Sequence, residues 1–161
     1  MIDDAGGRAI RSPVGHSLIK ELMIKEKALF GGESSGHFFY KTPYGTFEAP
    51  FLMLNKLLHF LTAKEKPFSE IVAPYKRYFN SGEINTRLET RAKGEEKLKA
   101  IKEKYKDGAL SEIDGLSVTY NDFWFNVRLS NTEPLIRLIV EATYKELMEE
   151  KREEILALIR A

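Results

Sequence analysis

Three runs in the later part of the chain constrain its fold most. Leu116, Val118 and Tyr120 alternate with Ser117 and Thr119, while Phe123, Phe125, Val127 and Leu129 alternate with Trp124, Asn126 and Arg128; a third apolar run covers residues 135–142. A period of two is the mark of strands with one buried face. Strand follows strand with no helix between, so these runs predict an antiparallel sheet. Two helical patterns accompany it. Residues 90–106 place Leu98, Ile101 and Tyr105 on one side before Asp107-Gly108, and a final helix carries Tyr144, Leu147, Met148, Ile155, Leu158 and Ile159 in one stripe. Thr143 and Glu146 have the spacing of a capping box at its start. With a further strand read over residues 77–88, this part is predicted to be α+β: roughly four antiparallel strands with two helices on one face.

The earlier part has a different rhythm. Residues 9–11 read as a short extended run, and Ser12-Pro13-Val14-Gly15 breaks the chain before a helix that Ser17 could cap, with Leu18, Ile19, Leu22 and Met23 in its apolar stripe. Leu29-Phe30 reads as a buried strand entering Gly31-Gly32, and residues 38–40 as another strand. Pro50 opens a second helix whose Phe51, Leu54, Leu57, Leu58 and Leu61 repeat at helical spacing and predict a well buried element. Strand, helix and strand suggest α/β with a mixed sheet. The polar run Ala63-Lys64-Glu65-Lys66-Pro67, followed by Pro74, places the boundary between domains 1–66 and 67–161.

Composition excludes several classes. With 161 residues, 43% of them hydrophobic, the chain can bury a real core. A formal net charge of +1 gives no continuous basic field for nucleic acid, so an anion must be gripped locally. Trp124 and the phenylalanines could suggest a stacking surface for single strands, but their inward alternation reads as core. The absence of cysteine removes disulfides, thiolate metal sites and a cysteine nucleophile, and suits a reducing cytoplasm. No signal peptide is read after Met1, and no apolar stretch is long enough to span a bilayer.

Chemistry concentrates in three loops. Arg128-Leu129-Ser130-Asn131-Thr132-Glu133-Pro134 lies between two strongly patterned strands. An arginine fork, two hydroxyls, an amide and the N–H groups of a tight turn suit a phosphate monoester. The same residues suit a polar hairpin turn closed by Pro134, and spacing does not decide between them. Gly31-Gly32-Glu33-Ser34-Ser35-Gly36-His37 offers a carboxylate for vicinal hydroxyls, hydroxyl groups, and an imidazole that titrates near neutrality; a flexible glycine turn is the plainer alternative. In Gly15-His16-Ser17-Leu18-Ile19-Lys20 a helix amino terminus with His16 and Lys20 beside it could favour an anion, and a capped helix explains it nearly as well.

Taken together, these segments resemble the phosphoglucomutase/phosphomannomutase family. Arg11-Ser12-Pro13-Val14-Gly15-His16 with Ile19-Lys20 resembles its third-domain loop, Gly32-Glu33-Ser34-Ser35-Gly36-His37 its sugar-specificity loop, and Arg128 to Pro134 its fourth-domain phosphate loop; Ser81-Gly82-Glu83-Ile84-Asn85 resembles the first strand of that last domain. The resemblance implies the end of a third domain followed by a TBP-like fourth domain. It also implies that Glu33 and Ser35 bind the sugar hydroxyls that do not react. Arg128, Ser130, Asn131 and Thr132 would hold the phosphate that is not transferred, and His16, Lys20 and His37 would lie near the transferring phosphoryl, with His37 the candidate proton carrier. Phosphoglucosamine mutases have glycine at the Asn131 position, so asparagine implies glucose or mannose phosphates. Glu48-Ala49-Pro50 departs from the acidic, glycine-containing family sequence before the second helix.

Family enzymes also use a phosphorylated serine in a Ser-His-Asn-Pro-type loop and Mg²⁺ in an Asp-Gly-Asp-x-Asp-type loop. This sequence contains neither, and Asp3, Asp4, Asp107, Asp114 and Asp122 lack ligand spacing, so no metal or cofactor site is predicted in it. The implied partners are a hexose phosphate and the earlier domains of a parent enzyme, with Mg²⁺ and a glucose 1,6-bisphosphate-type activator expected for that parent. Nucleic acid and membrane are not expected partners. Without the serine and aspartate loops the chain is expected to be inactive alone, with an exposed sheet edge in its first domain through which it could associate. The competing reading is a stand-alone phosphosugar-binding or scaffolding module without catalysis.

Overall fold

The computed structural model describes residues 2–130 and 132–161. The chain forms two compact units, the first ending at Pro74 and the second running from Tyr75 to Ala161. The first is α/β, and the second is a larger antiparallel sheet with helices.

In the first unit a short 3-10 turn (Asp3–Ala5) precedes α1 (His16–Lys25), then β1 (Phe30–Gly32), β2 (Phe38–Thr42), β3 (Gly45–Glu48), α2 (Pro50–Lys64) and α3 (Phe68–Val72). The sheet has the order β1-β2-β3, and both pairings are antiparallel. It is thus a meander, where the sequence suggested a mixed sheet, and residues 9–11 belong to no strand. The cause is the turn after Thr42. The Thr42 hydroxyl donates to the Gly45 carbonyl at 2.9 Å and accepts from the Tyr44 amide at 3.2 Å, while Gly45 takes a φ of 137° that side chains rarely adopt. Helix α1 packs on β1 at Gly31, where an added Cβ would lie 2.7 Å from Met23 Sδ. The buried cluster is Ile19, Met23 and Phe39.

Three expectations for this unit need correction. Helix α1 starts at His16 with Gly15 at its N-cap, so Ser17 lies inside the first turn and caps nothing. Leu29 and Phe30 are exposed, because β1 presents its covered side at Gly31. Helix α2 has no buried residue, and Phe51 is 82% exposed. Its periodicity was read correctly as helix, but the small cluster of this unit is filled by α1 and Phe39, and toward α2 the β2 residue Tyr40 donates its hydroxyl to Met53 Sδ at 3.1 Å.

The second unit runs β4 (Phe79–Asn80), β5 (Ile84–Arg87), α4 (Arg91–Lys104), β6 (Ala109–Ser111), β7 (Leu116–Thr119), β8 (Phe123–Leu129), β9 (Leu135–Ala142) and α5 (Lys145–Arg160). The order is β4-β9-β8-β7-β6, with β5 also on β9, and every pairing is antiparallel. Six strands stand where roughly four were read. The strand read over residues 77–88 is split at Gly82, which has a φ of 69°, and β6 is too short to show a period. Register places Val118 opposite Phe125 and Phe125 opposite Val140, and this row is fully buried beneath Ile101 of α4 and Ile155 and Ile159 of α5. Thr143 does not cap α5. Its amide donates to the Asp122 carbonyl, and Tyr144 occupies the N-cap position. Among the described residues, no helix is long and apolar enough to cross a membrane.

Two glycines make this packing testable. At Gly115 (φ 68°) a Cβ would lie 2.5 Å from the Val127 carbonyl oxygen and 2.8 Å from Arg128 Cα, whereas at Gly82 (φ 69°) it would meet nothing within 4 Å. Gly82→Ala should therefore cost only backbone strain of about 1 kcal/mol, and Gly115→Ala should cost upwards of about 3 kcal/mol because strand β8 must also move. Urea unfolding followed by Trp124, the single tryptophan, checks the difference. A second test uses α4 and α5. The Lys104 ammonium hydrogen-bonds the Glu154 carboxylate at 2.7 Å and, helped by Lys151 against the effect of burial, holds its pKa at about 2. A depressed carboxylate stabilises the fold above its unfolded value of about 4.3 and loses that contribution as pH falls through the folded value. Glu154→Gln should thus be less stable than wild type at pH 6, with the gap closing between about pH 4.3 and about pH 2.

Candidate functional site

Each unit carries one cluster of candidate groups. In the first, the loop between β1 and β2 closes by a hydrogen bond from the Glu33 amide to the His37 carbonyl, and Gly36 turns it at a φ of 92°. The Glu33 carboxylate accepts from Gly15 N at 3.2 Å with one oxygen and from Ser35 Oγ at 2.8 Å with the other. Glu33 thus sits against the amino terminus of α1, where the exposed N–H groups favour a negative charge. The structure brings Glu33 and Ser35 together as a hydrogen-bonded pair.

His37 and His16 meet through a residue that sequence reasoning passed over. Glu48, at the end of β3, places Oε1 2.8 Å from His37 Nδ1 and Oε2 3.1 Å from His16 Nε2. His16 also stands edge-on to Phe39, with ring centroids 5.0 Å apart. The arrangement follows from strand geometry. Glu48 is paired with Phe39, and His37 precedes Phe39 by two, so all three side chains share one face. The hydrogen bond and charge of Glu48 raise the His37 pKa above its ordinary value, and His37 lowers that of Glu48 in return. The signal for Glu48 was the alternation after Gly45, but with one buried position, Thr46, that strand was invisible to a hydropathy pattern. Lys20 follows His16 by one helical turn on α1 and is half-buried, which puts it on the same side of the helix.

In the second unit the turn between β8 and β9 carries the other cluster. Ser130 is buried; its amide bonds the Leu135 carbonyl, and its hydroxyl lies 3.4 Å from Thr132 Oγ1. The amides of Thr132 and Glu133 converge on that hydroxyl at 3.4 and 3.3 Å. Asn131, named with these residues from the sequence, lies outside the described residues. Arg128 pairs directly across the sheet with Arg137, an arrangement of like charges that is destabilising by itself. Glu83 resolves it. Its Oε2 binds Arg128 and its Oε1 binds Arg137, each at 3.0 Å. Burial pushes the Glu83 pKa up, but the hydrogen bonds and charges of both arginines outweigh this and hold it below the usual value.

Beneath the turn lies a cavity of about 440 Å³ whose charged lining is Arg91, Arg128 and Arg137 against Glu95 and Asp114. Ser130 and Thr132 also line it. Arg91 and Arg137 were not singled out in the sequence. Arg91 opens α4 directly after the Thr90 cap, and its Nη1 donates to the Ser130 carbonyl at 3.3 Å. Helix α4 reaches this position because Gly94 meets Leu88 and Leu129, where a Cβ would approach both side chains within 2.6 Å. The arrangement can hold an anion by guanidinium and hydroxyl groups. Among the described residues, no three His, Asp or Glu side chains gather as a metal site.

Comparison with known proteins matches both units to known domains. The profile for phosphoglucomutase/phosphomannomutase, alpha/beta/alpha domain III, matches residues 1–78, and that for the phosphoglucomutase/phosphomannomutase C-terminal domain matches residues 83–158. A phosphomannomutase of Methanocaldococcus jannaschii is 46% identical over 99% of this chain and 34% of its own length. A phosphomannomutase of Escherichia coli is 37% identical over 96% of this chain and 34% of its own. The crystal structure of a phosphoglucomutase/phosphomannomutase family protein from Burkholderia thailandensis superposes with a TM-score of 0.80 and 29% identity, over 99% of this chain and 34% of that one. This chain therefore spans about a third of the length of the relatives it matches. With two successive domain profiles covering nearly every residue and the fold shared, the chain belongs to the phosphoglucomutase/phosphomannomutase family.

Proposed function

We propose that this chain supplies the sugar- and phosphate-gripping part of a phosphohexomutase that interconverts hexose 1-phosphate and hexose 6-phosphate. The observation that carries the proposal is the arginine-lined cavity under the β8–β9 turn, in the domain matched as the family's C-terminal domain. Arg128 gives Nη2 to Glu83 and lies with Nη1 3.8 Å from Asp114 Oδ2, too long for a hydrogen bond, so donors remain for a ligand, and Ser130 and Thr132 supply hydroxyls beside it. These groups, with Asn131, hold the phosphate that is not transferred. The amides of Thr132 and Glu133 already point at one oxygen, that of Ser130, as they would at an anion. In the first unit Glu33 accepts hydrogen bonds from sugar hydroxyls, and Ser35 donates or accepts. His37 carries a proton to or from the reacting oxygen, while His16 and Lys20 lie near the transferring phosphoryl.

In this reading the phosphoserine donor and Mg²⁺ belong to domains outside these residues, and a glucose 1,6-bisphosphate-type activator is a ligand of the assembled enzyme. Phosphoryl transfer depends on in-line positioning and charge neutralisation, and gripping groups alone do not provide it. The chain by itself is expected to leave glucose 1-phosphate unchanged over hours, and measurable formation of glucose 6-phosphate would contradict the proposal. Calorimetric titration should detect weak binding of a hexose 1,6-bisphosphate. Arg128→Ala should weaken it about 10-fold or more, since a charge-assisted hydrogen bond contributes roughly 1.5–3 kcal/mol. Undiminished affinity in that variant would remove the phosphate seat, and a scaffolding role would then be the better reading.

A further inference from the structure

Glu48 holds two imidazoles at once, and the atoms it chooses differ. It takes Nδ1 of His37 and Nε2 of His16, at 2.8 and 3.1 Å. An ionised carboxylate only accepts hydrogen bonds, so each of these nitrogens must present an N–H to it. The remaining nitrogens, Nε2 of His37 and Nδ1 of His16, have no hydrogen-bond partner among the described residues. Free imidazole exchanges its proton at either nitrogen. A histidine held by a carboxylate at one nitrogen keeps its proton there and does its chemistry at the other. Phe39 restrains His16 further, since the two rings stand edge to face at 71°.

We propose that Glu48 is a positioning residue: it fixes His37 with its proton on Nδ1 and so commits Nε2 as the one atom through which His37 gives or takes a proton. The step balances on that atom. Protonated His37 releases the Nε2 proton to a ligand oxygen and becomes neutral with Nδ1–H still donated to Glu48; the reverse step restores it. The other groups facing the ring reinforce this. Glu33, across the loop, adds negative charge that favours the protonated ring, while His16 shares the same carboxylate through its other oxygen. Lys20 lies one helical turn beyond His16 on α1. The assignment rests on the phosphohexomutase reading only for what the proton serves; the tautomer itself does not depend on any ligand.

Long-range ¹H–¹⁵N NMR of the full 161-residue chain tests it. Neutral His37 should show a protonated Nδ1 and a bare Nε2, and it should titrate above the ordinary imidazole value of 6.5. Glu48→Ala should shift that titration downward and move the neutral proton toward Nε2. Glu48→Gln, close in shape but uncharged, should also lower the titration while the amide signals of Gly31 and Phe39 stay in place, which separates loss of the carboxylate from loss of the sheet. A neutral wild-type His37 protonated on Nε2 would overturn the proposal, as would an unchanged titration in Glu48→Gln with the sheet intact. Failure to bind a hexose bisphosphate would sink the functional reading and leave these spectra as they are.

Discussion

The pairing of β8 with β9 is the constraint from which most of the second unit follows. Phe125 opposite Val140 and Val127 opposite Leu138 fill the inner face, and the alternation then puts Trp124, Asn126 and Arg128 on the other. A slip of one residue would carry the whole apolar row to solvent. The burial of a few side chains therefore sets the address of an arginine on the opposite face. The same pairing creates a difficulty, because it sets Arg128 opposite Arg137. The fold accepts that repulsion through Glu83, which enters from the segment before β5 and binds both guanidinium groups. Two arginines so close without such a carboxylate would spread apart, and the cavity would lose its shape along with its charge.

The first unit repeats this logic with weaker bases. There one carboxylate, Glu48, gathers two imidazoles, again because strand pairing places it on their face. In both units the chemistry-bearing groups are held in place by a bridging acid that a list of loop residues would omit. The reason is physical. Loops supply donors and acceptors, but a side chain on a loop loses rotamer freedom only when something rigid holds it, and the strands are the rigid parts.

How far the sequence could be read follows from the same distinction. Where burial is regular, periodicity exposed it: β7, β8 and β9 and the stripes of α4 and α5 stand where alternation and helical spacing put them. The runs Glu33–Ser35 and Arg128–Thr132 stood out because their residue types are unusual together and resemble a family pattern. What escaped was short or irregular. β3 buries only Thr46, β6 is three residues long, and the break at Gly82 needs a backbone angle that no hydropathy pattern records. Helix α2 shows the opposite failure, since its leucine periodicity stated a need for burial that the described residues of its unit do not meet. Glu48, Glu83, Arg91 and Arg137 escaped because their importance lies in what they face across strands, and a single sequence does not state which residues face one another.

The two clusters also differ in what holds them. The arginine-lined cavity is formed by residues at the ends of β8 and α4, backed by an extensive cluster from Leu88 to Ile159. The β1–β2 loop belongs to a three-stranded sheet whose buried cluster is Ile19, Met23 and Phe39. Local opening is cheapest where little apolar area is buried, so the β1–β2 loop rests on the more readily remodelled unit, whereas strands β8 and β9 are backed by the larger cluster. That division suits the chemistry each would face. Under the proposed function, a phosphate presents the same tetrahedron of oxygens in every hexose phosphate and would reward a fixed seat, whereas a sugar held by different hydroxyls in two orientations would reward a loop in which Glu33 and Ser35 satisfy one another until a hydroxyl replaced their bond.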